Sequence, residues 1–298
     1  MRRLLKMLAA CTAFILLLAS CSKPAGTTPG SGGLSITASF YPMYLFTKSI
    51  TKGVDGVSVK LMSQQQTGCL HDYQLTPGDM AGLSKSHVFV INGAGMESFL
   101  QNVQKNMPEL KIIEASKGIA LLPGGEEGPN AHVWVGVSGA IKEVQNIAGG
   151  LGAADPAHAA KYSENAQAFT AQLQALGERM KAGLAGVSNR NIVTFHEAFP
   201  YFAKEYGLNI VCEVESEPGA EPGAGEVAEY ITTIRSSSVK ALFVDVQYTS
   251  STAEVIARET GLKLYPLNPV VSGPADADGT EYIRIMEENL KTLTEVLK

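Results

Sequence analysis

The sequence predicts an α/β protein of two lobes, each with a mostly parallel sheet flanked by helices, joined by one long backbone helix. Three observations carry this. Short apolar runs alternate with helical stretches from residue 34 to about 150, one long amphipathic pattern fills the middle, and the alternation then restarts. With 298 residues, 45% hydrophobic and 18% charged, the chain is long enough to bury two modest cores.

At the start, Arg2, Arg3 and Lys6 precede a mostly apolar run from Leu8 to Leu18 and then small residues, so residues 1–20 have the form of a secretion signal. The run is shorter than the about 20 apolar residues of a membrane span. Its end, Leu18-Ala19-Ser20-Cys21, resembles the lipobox of bacterial lipoproteins. That resemblance implies cleavage before Cys21, diacylation of its thiol, and an extracytoplasmic protein held by lipid on a bacterial membrane, at the cell surface or in the periplasm. Ser, Pro and Gly dominate Ser22 to Gly33, so residues 21–33 read as a lipidated flexible tether.

The first lobe, residues 34–154, has strand runs at Ile36 to Phe40, Val57 to Met62, Val88 to Ile91 and Ile112-Ile113, with helical character at Pro77 to Ser84 and Glu97 to Asn106. A linking helix over 155–188 follows from Tyr162, Ala166, Phe169, Leu173, Leu176, Met180 and Leu184, spaced three or four apart, with Asp155-Pro156 expected at its start. The second lobe, 189–298, has strand runs at Ile192 to Phe195, Asn209 to Val214, Ala241 to Val246 and Leu262 to Leu267. Its helical stretches are Ala198 to Tyr206, Gly225 to Arg235, Ser251 to Thr260 and Glu281 to Leu297.

The net charge of −5, with no Lys/Arg run after residue 6, lacks the footprint of a nucleic-acid binder. Removal of Cys11 with the signal and lipidation of Cys21 leave Cys69 and Cys212, an even number that permits one disulfide outside the cytosol.

Chemistry points to the five histidines. His71, His132 and His196 sit in loops or at strand ends, where a parallel sheet collects ligand groups, whereas His87 opens a strand and His158 lies in the first turn of the linking helix. Neutral imidazole ligates metals without the cost of deprotonating a side chain. The spacing of the three matches no short metal motif.

The surrounding segments add what spacing does not. Ala38-Ser39-Phe40-Tyr41-Pro42, His71-Asp72-Tyr73 with Thr76-Pro77-Gly78-Asp79, Asn92-Gly93-Ala94-Gly95-Met96-Glu97, His132-Val133-Trp134, Thr194-Phe195-His196-Glu197-Ala198-Phe199 and Glu217-Pro218-Gly219-Ala220 occur in order over nearly the whole mature chain. Together they resemble the zinc and manganese solute-binding lipoproteins of ABC transporters, the ZnuA/TroA-like family. The resemblance implies a metal site in the cleft between the lobes, with His71 and His132 from the first lobe and His196 from the second. It also implies an ABC permease as partner and no catalytic activity; a monomer is the expected state. Three imidazoles favour Zn2+ over Mn2+, which prefers more oxygen.

Three departures follow. Where many relatives carry an acid as fourth ligand, the stretch Leu267-Asn268-Pro269 offers the neutral amide of Asn268, so the fourth position falls to Asn268 or to water. The loop Gly124 to Asn130 is short and has no histidine. Gly136-Val137 stand in place of a common Asp-Pro pair, which bears on the groups orienting His132.

Two other classes compete. A secreted zinc hydrolase uses three ligands and a water, but no His-Glu-x-x-His is present, and Glu197 would face away from His196 if the strand continued. An adhesin with a structural metal is the second. A stiff linking helix argues for small rearrangements, and acidification to about pH 5–6 should loosen metal held by imidazoles.

Overall fold

A computed structural model describes residues 33–62, 73–124, 128–214, 222–246 and 251–298. The signal, Cys21, nearly all of the tether, Cys69, His71 and the Glu217–Ala220 motif lie outside the described residues. Among those described, no helix is long and apolar enough to cross a membrane.

Each lobe holds a four-stranded sheet. The first is β1 (Leu34–Ala38), β2 (Val57–Leu61), β3 (Val88–Ile91) and β4 (Lys111–Glu114); the second is β5 (Asn191–Thr194), β6 (Asn209–Glu213), β7 (Leu242–Asp245) and β8 (Leu264–Leu267). Both sheets repeat one order, β2-β1-β3-β4 and β6-β5-β7-β8, with every pair parallel. Strand order therefore reverses beside β1 and β3 in one lobe and beside β5 and β7 in the other, which opens a crevice at the carboxyl ends of those strands.

The helices between them are α1 (Tyr41–Ile50), α2 (Pro77–Leu83), α3 (Leu100–Asn106), α4 (Val137–Ala154), α5 (Ala159–Ala185), α6 (Pro200–Tyr206), α7 (Ala224–Ser236), α8 (Ser251–Thr260) and α9 (Gly279–Val296). A single 3-10 turn, Val133–Val135, precedes α4. α2 starts on a reciprocal cap: Thr76 Oγ1 accepts from the Asp79 amide at 3.2 Å while Asp79 Oδ2 accepts from the Thr76 amide at 2.8 Å.

Two helices, α1 and α4, lie outside the helical stretches expected from the sequence. In α1 every residue from Tyr41 to Thr47 is buried, so the contrast between a core face and a solvent face is weak there. In α4, Gly139, Gly149, Gly150 and Gly152 weaken helix propensity. Gly139 has a packing reason, since a Cβ there would stand 2.2 Å from the Val133 carbonyl oxygen.

The linking helix is α5, 27 residues and about 40 Å at 1.5 Å per residue. It begins later than the sequence suggests. Asp155 closes α4, its N–H donating to the Leu151 carbonyl, and its Oδ2 accepts from Tyr162 Oη at 2.8 Å and sits 2.7 Å from His158 Nδ1. Asp155 thus joins two helices instead of starting one.

One core runs through both lobes. In β5, Ile192 faces the large cluster shared with the first lobe and α5, while Val193 faces a smaller cluster under α7 and α8; Phe243 and Leu242 of β7 divide in the same way. The loop 271–279 is strapped to α1. Tyr41 Oη donates to the Pro274 carbonyl (3.2 Å), Tyr44 Oη to the Ala275 carbonyl (2.6 Å) and the Gly279 amide to Ser49 Oγ (2.8 Å), and Lys52 pairs with Asp278 at 3.2 Å. Gly279 permits this approach: a Cβ there would meet Phe169 at 2.2 Å.

Candidate metal centre

His196 follows the end of β5 and Asp245 is the last residue of β7, so both stand at the crevice of the second sheet. Because β5 ends at Thr194, His196 and Glu197 lie beyond the strand, and the alternation that would have sent Glu197 to the far face does not apply. A register irregularity between Ile192 and Val193 precedes them. The extra residue is Val211 of β6, so β5 itself runs unbroken through Thr194.

His132 comes from the first lobe, in the loop before the 3-10 turn. Its ring meets that of His196 edge to face, with centroids 4.9 Å apart and planes at 89°. Both are sealed from solvent, at 2% and 1% exposure. Trp134 lies 5.2 Å from His132 between ring centroids and 4.9 Å from Phe40, which gives the pair an aromatic floor.

Each imidazole has an oxygen acceptor at Nδ1. Asn130 Oδ1 is 3.2 Å from His132 Nδ1, and Asp245 Oδ2 is 3.4 Å from His196 Nδ1. The two acceptors favour the Nδ1–H tautomer in both rings and so put the lone pairs on Nε2. Metal-ligating histidines share this arrangement. Among the described residues no three His, Cys, Asp or Glu side chains form a ligating group. His71, expected as the third ligand, lies outside the described residues.

Asn268 is placed in a tight turn. Its Oδ1 accepts from the Val270 amide at 2.8 Å, its backbone N–H donates to Asn289 Oδ1 at 2.9 Å, and Val270 takes a φ of 64°, unusual for a β-branched residue. The turn is bolted to the site, since Trp134 Nε1 donates to the Pro269 carbonyl at 2.7 Å. The Asn268 amide oxygen thus has one lone pair engaged in shaping this turn.

In the first lobe the matching crevice is filled by a carboxylate. Glu97 accepts from Ser39 Oγ (2.7 Å) after β1, and from the amides of Asn92 (2.8 Å) and Gly93 (2.9 Å) after β3. Those bonds hold a loop with positive φ at Gly93, Ala94 and Gly95, and Asn92 Nδ2 donates to the carbonyl of Ala131, next to His132. Burial pushes the Glu97 carboxyl up to about 7, against its three donors. Glu143 on α4 is fully buried, with no hydrogen-bond partner for either carboxylate oxygen among the described residues. Desolvation, then the charge of Glu97, holds its pKa well above the carboxylate range.

Gly136-Val137 has a structural counterpart. Gly136 offers α4 no side-chain cap, and Glu205 of α6 supplies one instead, accepting from the Ser138 amide at 3.1 Å and from its hydroxyl at 2.9 Å. A Cβ at Gly136 would come within 3.0 Å of Glu205 Oε2. Cys212 on β6 carries a half-buried thiol pushed up to about 11 by burial and by Glu213, and Cys69, its expected partner in a bridge, lies outside the described residues.

Sequence reasoning assigned no role to Asn130, Asp245 or Glu97. Asp245 ends a predicted strand at the same sheet edge as His196, a signal that could have found it.

The most similar relatives include the high-affinity zinc uptake system protein ZnuA of Bacillus subtilis, 32% identical with 97% of this chain and 96% of the relative covered. The zinc-binding lipoprotein AdcA of Streptococcus pneumoniae is 30% identical, and this chain spans 60% of its length. Among solved structures, a Zn(II)-bound mutant variant of AdcAII from Streptococcus pneumoniae gives a TM-score of 0.80 at 30% identity over 90% of this chain and 99% of that one. The laminin-binding adhesin Lmb of Streptococcus agalactiae gives 0.80 at 29% over 89% and 100%. Residues 36–296 match the family described as ZnuA, zinc-uptake complex component A periplasmic, and with the paired imidazoles and the doubled parallel-sheet fold this establishes that the chain belongs to that family.

Proposed function

We propose that this protein is the extracytoplasmic solute-binding component of an ABC importer, that it captures Zn2+ in preference to Mn2+, and that it delivers the ion to a membrane permease. The observation that carries the reading is the buried His132–His196 pair with both Nδ1 atoms facing oxygen acceptors, a donor set suited to zinc as cargo. His71 supplies the third imidazole. The fourth position belongs to a solvent oxygen or to Asn268, whose amide oxygen keeps one lone pair after accepting from Val270. Cys21 carries the lipid that keeps the protein, as a monomer, at the membrane surface. Ligand exchange proceeds by local movement of the segments bearing the histidines, since the lobes share one core and a strap.

The test is metal analysis with competitive titration of zinc, manganese and copper on the mature protein, beside a variant with His71, His132 and His196 all changed to Ala. One tight zinc equivalent that vanishes in the variant supports the reading; preference for manganese, or zinc retained by the variant, overturns it. The likeness to Lmb motivates a second reading, adhesion to laminin. Laminin binding that survives in the triple variant would establish adhesion as separate from metal capture.

A further inference from the structure

Asn130 uses every polar atom it has. Its side-chain Oδ1 accepts from the His132 amide at 2.9 Å and lies 3.2 Å from His132 Nδ1, and its Nδ2 donates to the Glu197 carbonyl at 2.8 Å and to Glu197 Oε1 at 3.2 Å. The backbone is held as well: its N–H donates to the Leu122 carbonyl at 2.9 Å, and its carbonyl accepts from Tyr201 Oη at 2.8 Å. The residue is 3% exposed.

The orientation of this amide follows from its neighbours. A backbone N–H can only donate and a backbone carbonyl can only accept. The end that meets the His132 amide must therefore be oxygen, and the end that meets the Glu197 carbonyl must be nitrogen. That oxygen accepts and never donates, so His132 Nδ1 must bring the proton, which leaves the lone pair on Nε2. The chain of consequence begins at the Glu197 carbonyl, one residue from His196 in the other lobe. It ends at the tautomer of His132.

Resting on the reading of His132 and His196 as zinc ligands, we infer that Asn130 is a positioning residue that ties the two histidine segments together and keeps His132 in its ligating tautomer only while the Glu197 carbonyl is in register. A site assembled this way is set before the ion arrives. The ion then does not have to order two segments from different lobes.

The experiment uses the mature protein, Asn130→Ala and Asn130→Asp. Asn130→Asp keeps an acceptor for His132 but sets an oxygen against the Glu197 carbonyl, so it breaks only the inter-lobe half; it also serves if Asn130→Ala does not fold. Without metal, long-range 1H–15N spectra of the imidazoles should show one Nδ1–H tautomer for His132 in the wild type and a mixture in Asn130→Ala. Amide exchange over 195–198 should rise in both variants. Zinc affinity of Asn130→Ala should fall about ten- to hundredfold, the usual loss when the partner of a ligating histidine is removed. Unchanged exchange over 195–198, or wild-type zinc affinity in Asn130→Ala, overturns the proposal. The metal-free measurements separate its failure from that of the transport reading, which falls if the wild type binds no zinc.

Discussion

Tyr282, on the last helix of the second lobe, donates its phenol hydrogen to the backbone carbonyl of Trp134 at 2.7 Å, two residues past His132. Both side chains are fully buried. The indole of Trp134 in turn reaches the Pro269 carbonyl, so the floor beneath the imidazoles is fastened from the second lobe at two points.

Tyr282→Phe should leave that carbonyl buried without its donor, at a cost of about 1–3 kcal/mol. Urea unfolding of the metal-free protein checks this. An unchanged midpoint would mean that the Trp134 carbonyl finds another partner.

Asp245→Ala removes the acceptor at His196 Nδ1 without removing an expected ligand. Zinc affinity should fall about ten- to hundredfold while the stoichiometry stays at one. Competition against a chromophoric chelator reads both. Loss of all binding would instead make Asp245 a direct ligand.

Glu205→Ala takes the cap from α4 and should reduce stability by about 1 kcal/mol, with zinc affinity retained. Thermal unfolding beside zinc titration distinguishes the two effects.

Glu143→Gln tests a buried acid. A carboxyl whose pKa is raised on folding binds protons more tightly in the native state, so its stabilising contribution is full below about 4.5 and is lost as pH rises through the folded value, at up to about 1.4 kcal/mol per pH unit. The glutamine variant should therefore gain stability over the wild type at pH 8 and show little difference at pH 4.5. Melting curves at both values suffice; an equal shift at both would assign the effect to packing.

Much of the architecture was legible because it rests on periodicity. The strand runs at 57–62, 88–91 and 209–214 and the apolar stripe of the linking helix fell within a residue or two of the observed elements, the run at 88–91 because all four of its residues are apolar and buried. α1 escaped because Tyr41 to Thr47 are all buried, and Asp155 was misplaced because a cap at the end of one helix resembles a cap at the start of the next. At the site, resemblance singled out His132 and His196, which the fold brings to 4.9 Å across more than sixty residues of chain. Asn130, Asp245 and Glu97 were silent because their roles depend on long-range hydrogen bonds, and no local pattern records a bond between residues 130 and 197.

The strap between α1 and the 271–279 loop fixes what an outside observer can learn from this molecule. With a core common to both lobes and this strap in place, the body should keep nearly the same silhouette whether its cleft is full or empty. A receptor would then tell the two apart at the rim, from a shift of a few segments.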